Sequence, residues 1–207
     1  MKNRWKPTIR ILALLIALAS LPWKVAAQKP ADSTEDPAEL TFEQNLALPE
    51  IPRKRQAAVA NYMGDEARKL VRKGYNVATE RKGEVIVVTL PVADVFEPND
   101  SVITSMGRQK LEPLMSYLRI QNGFKMLLAI HTDNTGSPAY RRNLSIKRIE
   151  ALEKFVAATA TFPNQAVGYI MEDQEPLKPN DSRKHRERNR RIEIFIVPDQ
   201  ELLSGLK

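Results

Sequence analysis

The stretch "DNTGSPAYRRNLSIKR", Asp133 to Arg148, places one carboxylate close to several guanidinium groups. A carboxylate and a guanidinium lining one hollow match a zwitterion. The acid takes an ammonium, and the arginine takes a carboxylate through a fork of two hydrogen bonds. The spacing alone admits a second reading, a structural Asp133–Arg148 salt bridge holding loop to helix. Arg141 bears on the choice. It lies two helical turns before Arg148 on nearly the same face, so this helix end carries two cations. One aspartate does not neutralise both, which leaves room for an anionic group.

The elements that must position these groups are legible nearby. "FKMLLAIHT", residues 124–132, is a nearly continuous apolar run, the pattern of a strand buried on both faces. It delivers Asp133 to its C-terminal tip. Gly136 permits a tight turn, Ser137 is a good helix N-cap, and Pro138 fits the first helical position. At 3.6 residues per turn, Leu144, Ala151, Leu152 and Phe155 share one stripe, with Arg148 in its middle. A guanidinium aimed at a core needs a partner, because an unpaired buried charge costs roughly several kcal/mol.

Other chemistries fit less well. The chain has no cysteine, which excludes disulfides and thiolate metal sites. His131 and Asp133 have alternate-residue spacing, but the only other histidine is His185, inside a basic run. No metal site is expected, nor any cofactor. His131, Asp133 and Ser137 lie too close in one loop for a hydrolytic triad, and nothing marks an oxyanion hole. No catalysis is expected. "SRKHRERNRR" is basic but lacks the aromatic interleaving of a nucleic-acid surface, and no nucleic-acid partner is expected.

The formal charge of +7 also needs correction. Lys2, Arg4, Lys6, Arg10 and Lys24 lie in residues 1–27, which hold no acid. A basic start, the apolar run "ILALLIALASLP" and small residues at Val25 and Ala27 form the three-part pattern of a secretory signal. The run is shorter than the roughly 20 residues of a membrane span. Residues 1–27 are therefore expected to be a signal peptide, and the mature chain to be exported, nearly charge-balanced and without a transmembrane span. Residues 28–56, with four prolines and six acids, read as a mobile linker. Residues 57–74 read as a helix.

Beyond it the period alternates. Strands are expected near 75–80, 84–90, 124–132, 165–172 and 190–198, and helices near 103–120 and 138–158, with Pro113 an awkward member of the first. Residues 175–189 read as a polar loop with a possible helical turn, and 199–207 as a tail. The pattern predicts an α/β fold, specifically an α+β two-layer sandwich, with a mixed sheet covered by helices on one face.

Thr132-Asp133, Gly136, Tyr140, Leu144-Ser145 and Arg148 stand in register with the pattern T-D, two residues, G, then Y-N, then L-S, two residues, R-A. "VIVVTLPVADVFEPNDSVI" is similar to the opening strand and phenylalanine loop of the same family, with Phe96 in the aromatic position. "RERNRRIEIFIV" is similar to its closing N-R-R strand, here Asn189-Arg190-Arg191. On these residues the segment 75–198 resembles the OmpA-like peptidoglycan-binding domain of porin tails, peptidoglycan-associated lipoproteins and flagellar stator proteins. The resemblance implies non-covalent binding of the diaminopimelate of a peptidoglycan stem. Asp133 would take the ammonium and Arg148 the carboxylate, in a pocket shared with Thr132, Arg141 and Phe96. Gly136, Leu144, Ser145, Asn189 and Arg190 would support it. It further implies a periplasmic place at the cell wall or outer membrane of a Gram-negative bacterium. An envelope protein partner would be reached through residues 28–73. The alternative is a protein–protein interaction module on the same fold with a degraded pocket. Five positions depart from the family pattern. Arg141 replaces an asparagine of the pocket lining, Ile149 an alanine and Ile130 a glycine, and Ile170 and Glu172 stand in place of a G-x-G.

Overall fold

The computed structural model describes residues 37–206; the expected signal peptide and residues 28–36 lie outside them. After a 3-10 turn at Pro37–Glu39 come α1 (Phe42–Ala47), α2 (Arg53–Arg72), β1 (Asn76–Glu80), β2 (Val85–Pro91), α3 (Val92–Val95) and α4 (Ser105–Leu111). Then follow β3 (Phe124–His131), α5 (Pro138–Thr159), β4 (Ala166–Glu172), α6 (Arg183–Asn189), β5 (Arg191–Pro198) and α7 (Gln200–Gly205). The five strands make one sheet in the order β1-β2-β5-β3-β4. β3 and β4 are parallel, joined through α5, and the other neighbours are antiparallel. The mixed α+β sandwich matches the sequence expectation.

Strand periodicity divides the core in two. Ile86, Val88, Met126, Leu128, Ile130, Ile192, Ile194 and Ile196 point to the main core, with α2 and α5. α2 contributes Val59, Met63, Ala67 and Leu70, one stripe at helical spacing. α5 contributes Ile149, Leu152, Phe155 and Val156. The opposite sheet face carries Val85, Val87, Leu127, Ala129, Phe195 and Val197. Two apolar faces explain why β3 reads as continuous; every residue of it is buried.

That second face corrects the linker reading. The later part of residues 28–56 is a strap built into the domain. Thr41 and Gln44 form a capping box that starts α1. Phe42 and Leu46, one turn apart, pack on the second face. Phe42 meets the rings of Tyr169 and Phe195 edge-on. Two cations, Lys125 of β3 and Arg81 of the turn between β1 and β2, hold the strap. Lys125 Nζ donates to Asn45 O and Oδ1, at 3.1 and 3.2 Å. Arg81 donates to the carbonyls of Leu46 and Pro49. α2 begins at Arg53 instead of residue 57.

Two further expectations change. The helix expected over 103–120 is two pieces, α4 and a 3-10 stretch over Glu112–Leu118. Pro113 lacks an N–H and is tolerated only in a first turn, so it opens the second piece. The expected tail 199–207 contains α7, capped by the Asp199 side chain on Gln200 N. Leu203 is buried there, and its carbonyl accepts from Arg55 Nη1 at 2.5 Å.

Candidate functional site

At the tip of β3 the chain leaves the sheet through Thr132 and Asp133. Gly136 takes φ +82°, a left-handed turn that suits glycine. The Ser137 hydroxyl accepts from Tyr140 N at 3.2 Å and opens α5 at Pro138. A cavity of about 450 Å³ lies beside this turn. Thr132, Asp133, Tyr140, Leu144 and Arg148 line one side, and Phe96 with the following loop lines the other. Arg183, Glu187 and Arg190 close its edge from α6 and the residue after it.

Arg148 is only 5% exposed, as its place in the apolar stripe requires. The stripe itself is rotated slightly: Leu144 and Ala151 are half-buried, and Ser145 and Ile149 are buried in their stead. The partner of Arg148 is not Asp133. Its Nε donates to the carbonyl of Asp100 at 2.9 Å. Its guanidinium carbon stands 5.3 Å from the centroid of the Phe96 ring, a cation–π contact. Phe96 is itself 1% exposed, fixed by a β-bridge to Ile103. No carboxylate forms an ion pair with Arg148 among the described residues. Burial lowers its pKa below the ordinary arginine value, yet a guanidinium keeps its proton in proteins. The structure therefore holds a buried cation at a cavity wall, oriented by a carbonyl and an aromatic face, with no carboxylate in a direct ion pair with it among the described residues.

Asp133 is buried and engaged elsewhere. One carboxylate oxygen pairs with Arg190 Nη1, and the other accepts from Thr135 N at 2.8 Å. Burial raises its pKa, but the Thr135 hydrogen bonds and the Arg190 charge outweigh that and leave it below the ordinary carboxylate value. The direct Asp133–Arg148 bridge is thus replaced by an Asp133–Arg190 bridge. Asp133 and Arg148 still line one cavity.

Arg141 is also corrected. It lines the cavity, but it is not a second free cation. Its Nη1 donates to Gly136 O at 2.9 Å, and its Nη2 lies 3.2 Å from Asp173 Oδ2. It pins the turn of residues 134–136 to the end of β4. Arg142 pairs likewise with Glu172 at 2.6 Å. The Thr132 N–H donates to Glu172 O, and its buried hydroxyl has no hydrogen-bond partner. Ser145 is fully buried behind the site, its hydroxyl also without a partner. Asn189 organises the loop before α6. Its amide donates to Lys178 O and Asn180 Oδ1 and accepts from Lys178 N.

A buried cluster behind the site was not foreseen. Arg191 Nε bonds Glu193 Oε1 at 2.7 Å, and His131 Nε2 lies 3.2 Å from Glu193 Oε2, too poorly aligned for a hydrogen bond. Strand pairing sets His131 opposite Arg191. Burial raises the Glu193 pKa, but His131 and Arg191 overcome it and hold it down at about 2. Alternation along "RRIEIF" puts Arg191 and Glu193 on one face, the signal that could have found this cluster. The described residues contain no group of three or more histidines and acids placed to hold a metal ion. They also contain no helix long and apolar enough to cross a membrane.

The mixed sheet, the loop after β3 and the arginine in α5 give the chain its likeness to OmpA-like domains. The OmpA family model matches residues 95–190. Outer membrane protein A of Bordetella avium is 28% identical over 102 residues, 49% of this chain and 53% of that protein. The chain thus spans about half the length of the curated relative it matches. Among solved structures, a putative MotB-like protein from Desulfovibrio vulgaris aligns over 72% of this chain and 98% of its own, with TM-score 0.62 at 17% identity. The cell wall anchor of the T6SS from Pseudomonas aeruginosa aligns over 68% and 97%, with TM-score 0.52 at 24% identity. Both share the fold.

Proposed function

We propose that this domain binds peptidoglycan without catalysing a reaction and anchors an envelope component to the cell wall. The observation that carries this reading is Arg148. It is a buried guanidinium at a cavity wall with no carboxylate partner, and a ligand carboxylate supplies the missing charge. Asp133 lines the same cavity with two of its roughly four lone-pair sites in use. It can accept a ligand ammonium beside Arg190. A carboxylate and an ammonium on one short aliphatic unit describe the side-chain end of diaminopimelate. Thr132 offers an unused hydroxyl to the same ligand. Phe96 and Arg141 act indirectly, the first by orienting Arg148 and the second by fixing the turn. The likeness to a cell wall anchor and to an outer membrane protein supports a periplasmic place for an exported chain.

Residues 28–73 remain the proposed partner-binding segment. Since α1 and α2 are built into the domain, a partner meets helical surface there. The second reading is an interaction module with a degraded pocket, favoured by the prior claim of Arg190 on Asp133. Co-sedimentation with purified sacculi separates the two. Loss of binding in Asp133→Ala and Arg148→Ala, with both variants folded, supports the wall anchor. No sedimentation of the wild type overturns it.

A further inference from the structure

A second cavity, of about 520 Å³, lies on the other side of α3. Pro91 and Asp94 border it, whereas Val92, Ala93 and Phe96 border the Arg148 cavity. The two cavities are separated by the single helical turn Val92–Val95. That turn is roughly 10 Å thick. The walls differ in chemistry. The first cavity is dominated by guanidinium and carboxylate groups. In the second, Lys110 and Asp94 neutralise each other at 2.6 Å, which leaves Lys73 as the one unmatched charge in the lining. The other polar groups are neutral: the amides of Asn76 and Gln109 and the hydroxyl of Thr89. None of these three side chains hydrogen-bonds another described residue. Between them stand the apolar surfaces of Tyr75, Leu90, Pro91 and Pro113, with the Tyr75 hydroxyl tied to Lys110 O at 2.8 Å.

Neutral amides and hydroxyls set among flat apolar surfaces suit an uncharged polyhydroxyl ligand with acetamido groups. Such a ligand is ordinarily held by a few placed polar groups in an apolar concavity. We propose that this second cavity binds the N-acetylated glycan that carries the peptide stem. The inference rests on the peptidoglycan reading of the first cavity. The span agrees with the chemistry. A stem of a few residues extends roughly 3.3–3.6 Å per residue, so a glycan in one cavity can place its stem in the other. The two contacts act as linked modules, and the second adds affinity through proximity.

The test compares two probes on the full chain by calorimetry: a disaccharide muropeptide bearing a diaminopimelate stem, and the same stem without sugar. The wild type is expected to bind the muropeptide roughly tenfold more tightly, the worth of two amide hydrogen bonds. Asn76 and Gln109 are exposed, so N76A/Q109A should fold normally, as its melting temperature will show. In that variant the sugar advantage disappears and stem affinity is unchanged. Equal wild-type affinity for both probes, or an advantage that survives N76A/Q109A, overturns the glycan site and leaves the stem reading standing. Wild-type binding of neither probe overturns the stem reading itself, and with it this inference.

Discussion

Arg190 closes over Asp133, 57 residues earlier in the chain, and claims one oxygen of the only carboxylate at the tip of β3. The pair ties the start of β5 to the loop that feeds α5. It also means that a ligand ammonium shares Asp133 with a resident cation. Asp133 stays ionised because Thr135 and Arg190 together outweigh its burial. Arg190→Gln should therefore raise the Asp133 pKa toward the ordinary carboxylate value, measurable by NMR titration of the carboxyl carbon. A carboxylate with a depressed native pKa stabilises above its unfolded pKa and loses that contribution as pH falls through the native one. Arg190→Gln should cost stability at pH 7, and the cost should shrink as pH falls through the native Asp133 pKa. An unchanged Asp133 titration would show that the Thr135 hydrogen bonds suffice alone.

Arg148 separates function from stability. Its burial without a paired carboxylate is only partly compensated in the free protein, by the Asp100 carbonyl and the Phe96 ring. Replacing such a charge by an apolar side chain of similar length is often neutral or stabilising. Arg148→Met is expected to keep or raise the melting temperature while abolishing sacculus binding. A large loss of stability would make the residue structural, held for its bond to Asp100 O and its contact with Phe96.

Much of this was legible in the chain. The apolar run of β3, the Ser137-Pro138 helix start and the arginine interrupting the α5 stripe are local patterns, and the structure bears them out. What was not legible depends on long-range pairing. Spacing placed Asp133 near Arg148 but could not weigh Arg190, which reaches it only because β5 lies beside β3. Arg141 looked like a free cation until β4 brought Asp173 to it. The strap was hidden by composition: prolines and acids surround Phe42 and Leu46, although Thr41 and Gln44 already spelled a capping box.

Glu193 predicts an acid transition. Its carboxyl is held at about 2 by His131 and Arg191 against an ordinary value of 4.5. Its contribution is complete above pH 4.5 and disappears as pH falls toward 2. The linkage is on the order of 3 kcal/mol. Glu193→Gln should be less stable than wild type at pH 7, and the difference should close between pH 4.5 and 2. Chemical denaturation across that range reads it directly. A difference that does not change with pH would assign the loss to packing instead.

Gly107 lets α4 approach the residue that precedes the Phe96 loop. A Cβ there would stand 2.3 Å from Val95 O and 2.8 Å from its Cα, contacts that backbone cannot relieve by rotating a side chain. Gly107→Ala should cost about 1–3 kcal/mol as an overpacked site. The displaced α3–α4 junction should also loosen Asp100 and Phe96 around Arg148. Weaker stem binding together with a lower melting temperature is the expected result. A normal melting temperature would mean that α4 moves away freely.

The strap offers the sharpest test of how the second sheet face is held. Lys125 is buried among apolar residues, and its two hydrogen bonds both go to Asn45. Burial pushes its pKa below the ordinary lysine value. Asn45→Ala removes one of those acceptors and the 2.6 Å bond to the Tyr169 hydroxyl. It should cost about 2–4 kcal/mol at pH 7, since it leaves a buried ammonium poorly satisfied. The part of the cost that belongs to the charge is present while Lys125 is protonated in the folded state. It should recede as pH rises toward 10.5, where the unfolded lysine also loses its proton. Lys125→Met supplies the control. In that background Asn45→Ala should cost clearly less, and the coupling in a double-mutant cycle should reach about 1–3 kcal/mol. Additive effects would mean that the apolar contacts of Phe42 and Leu46 hold the strap and that the lysine is incidental.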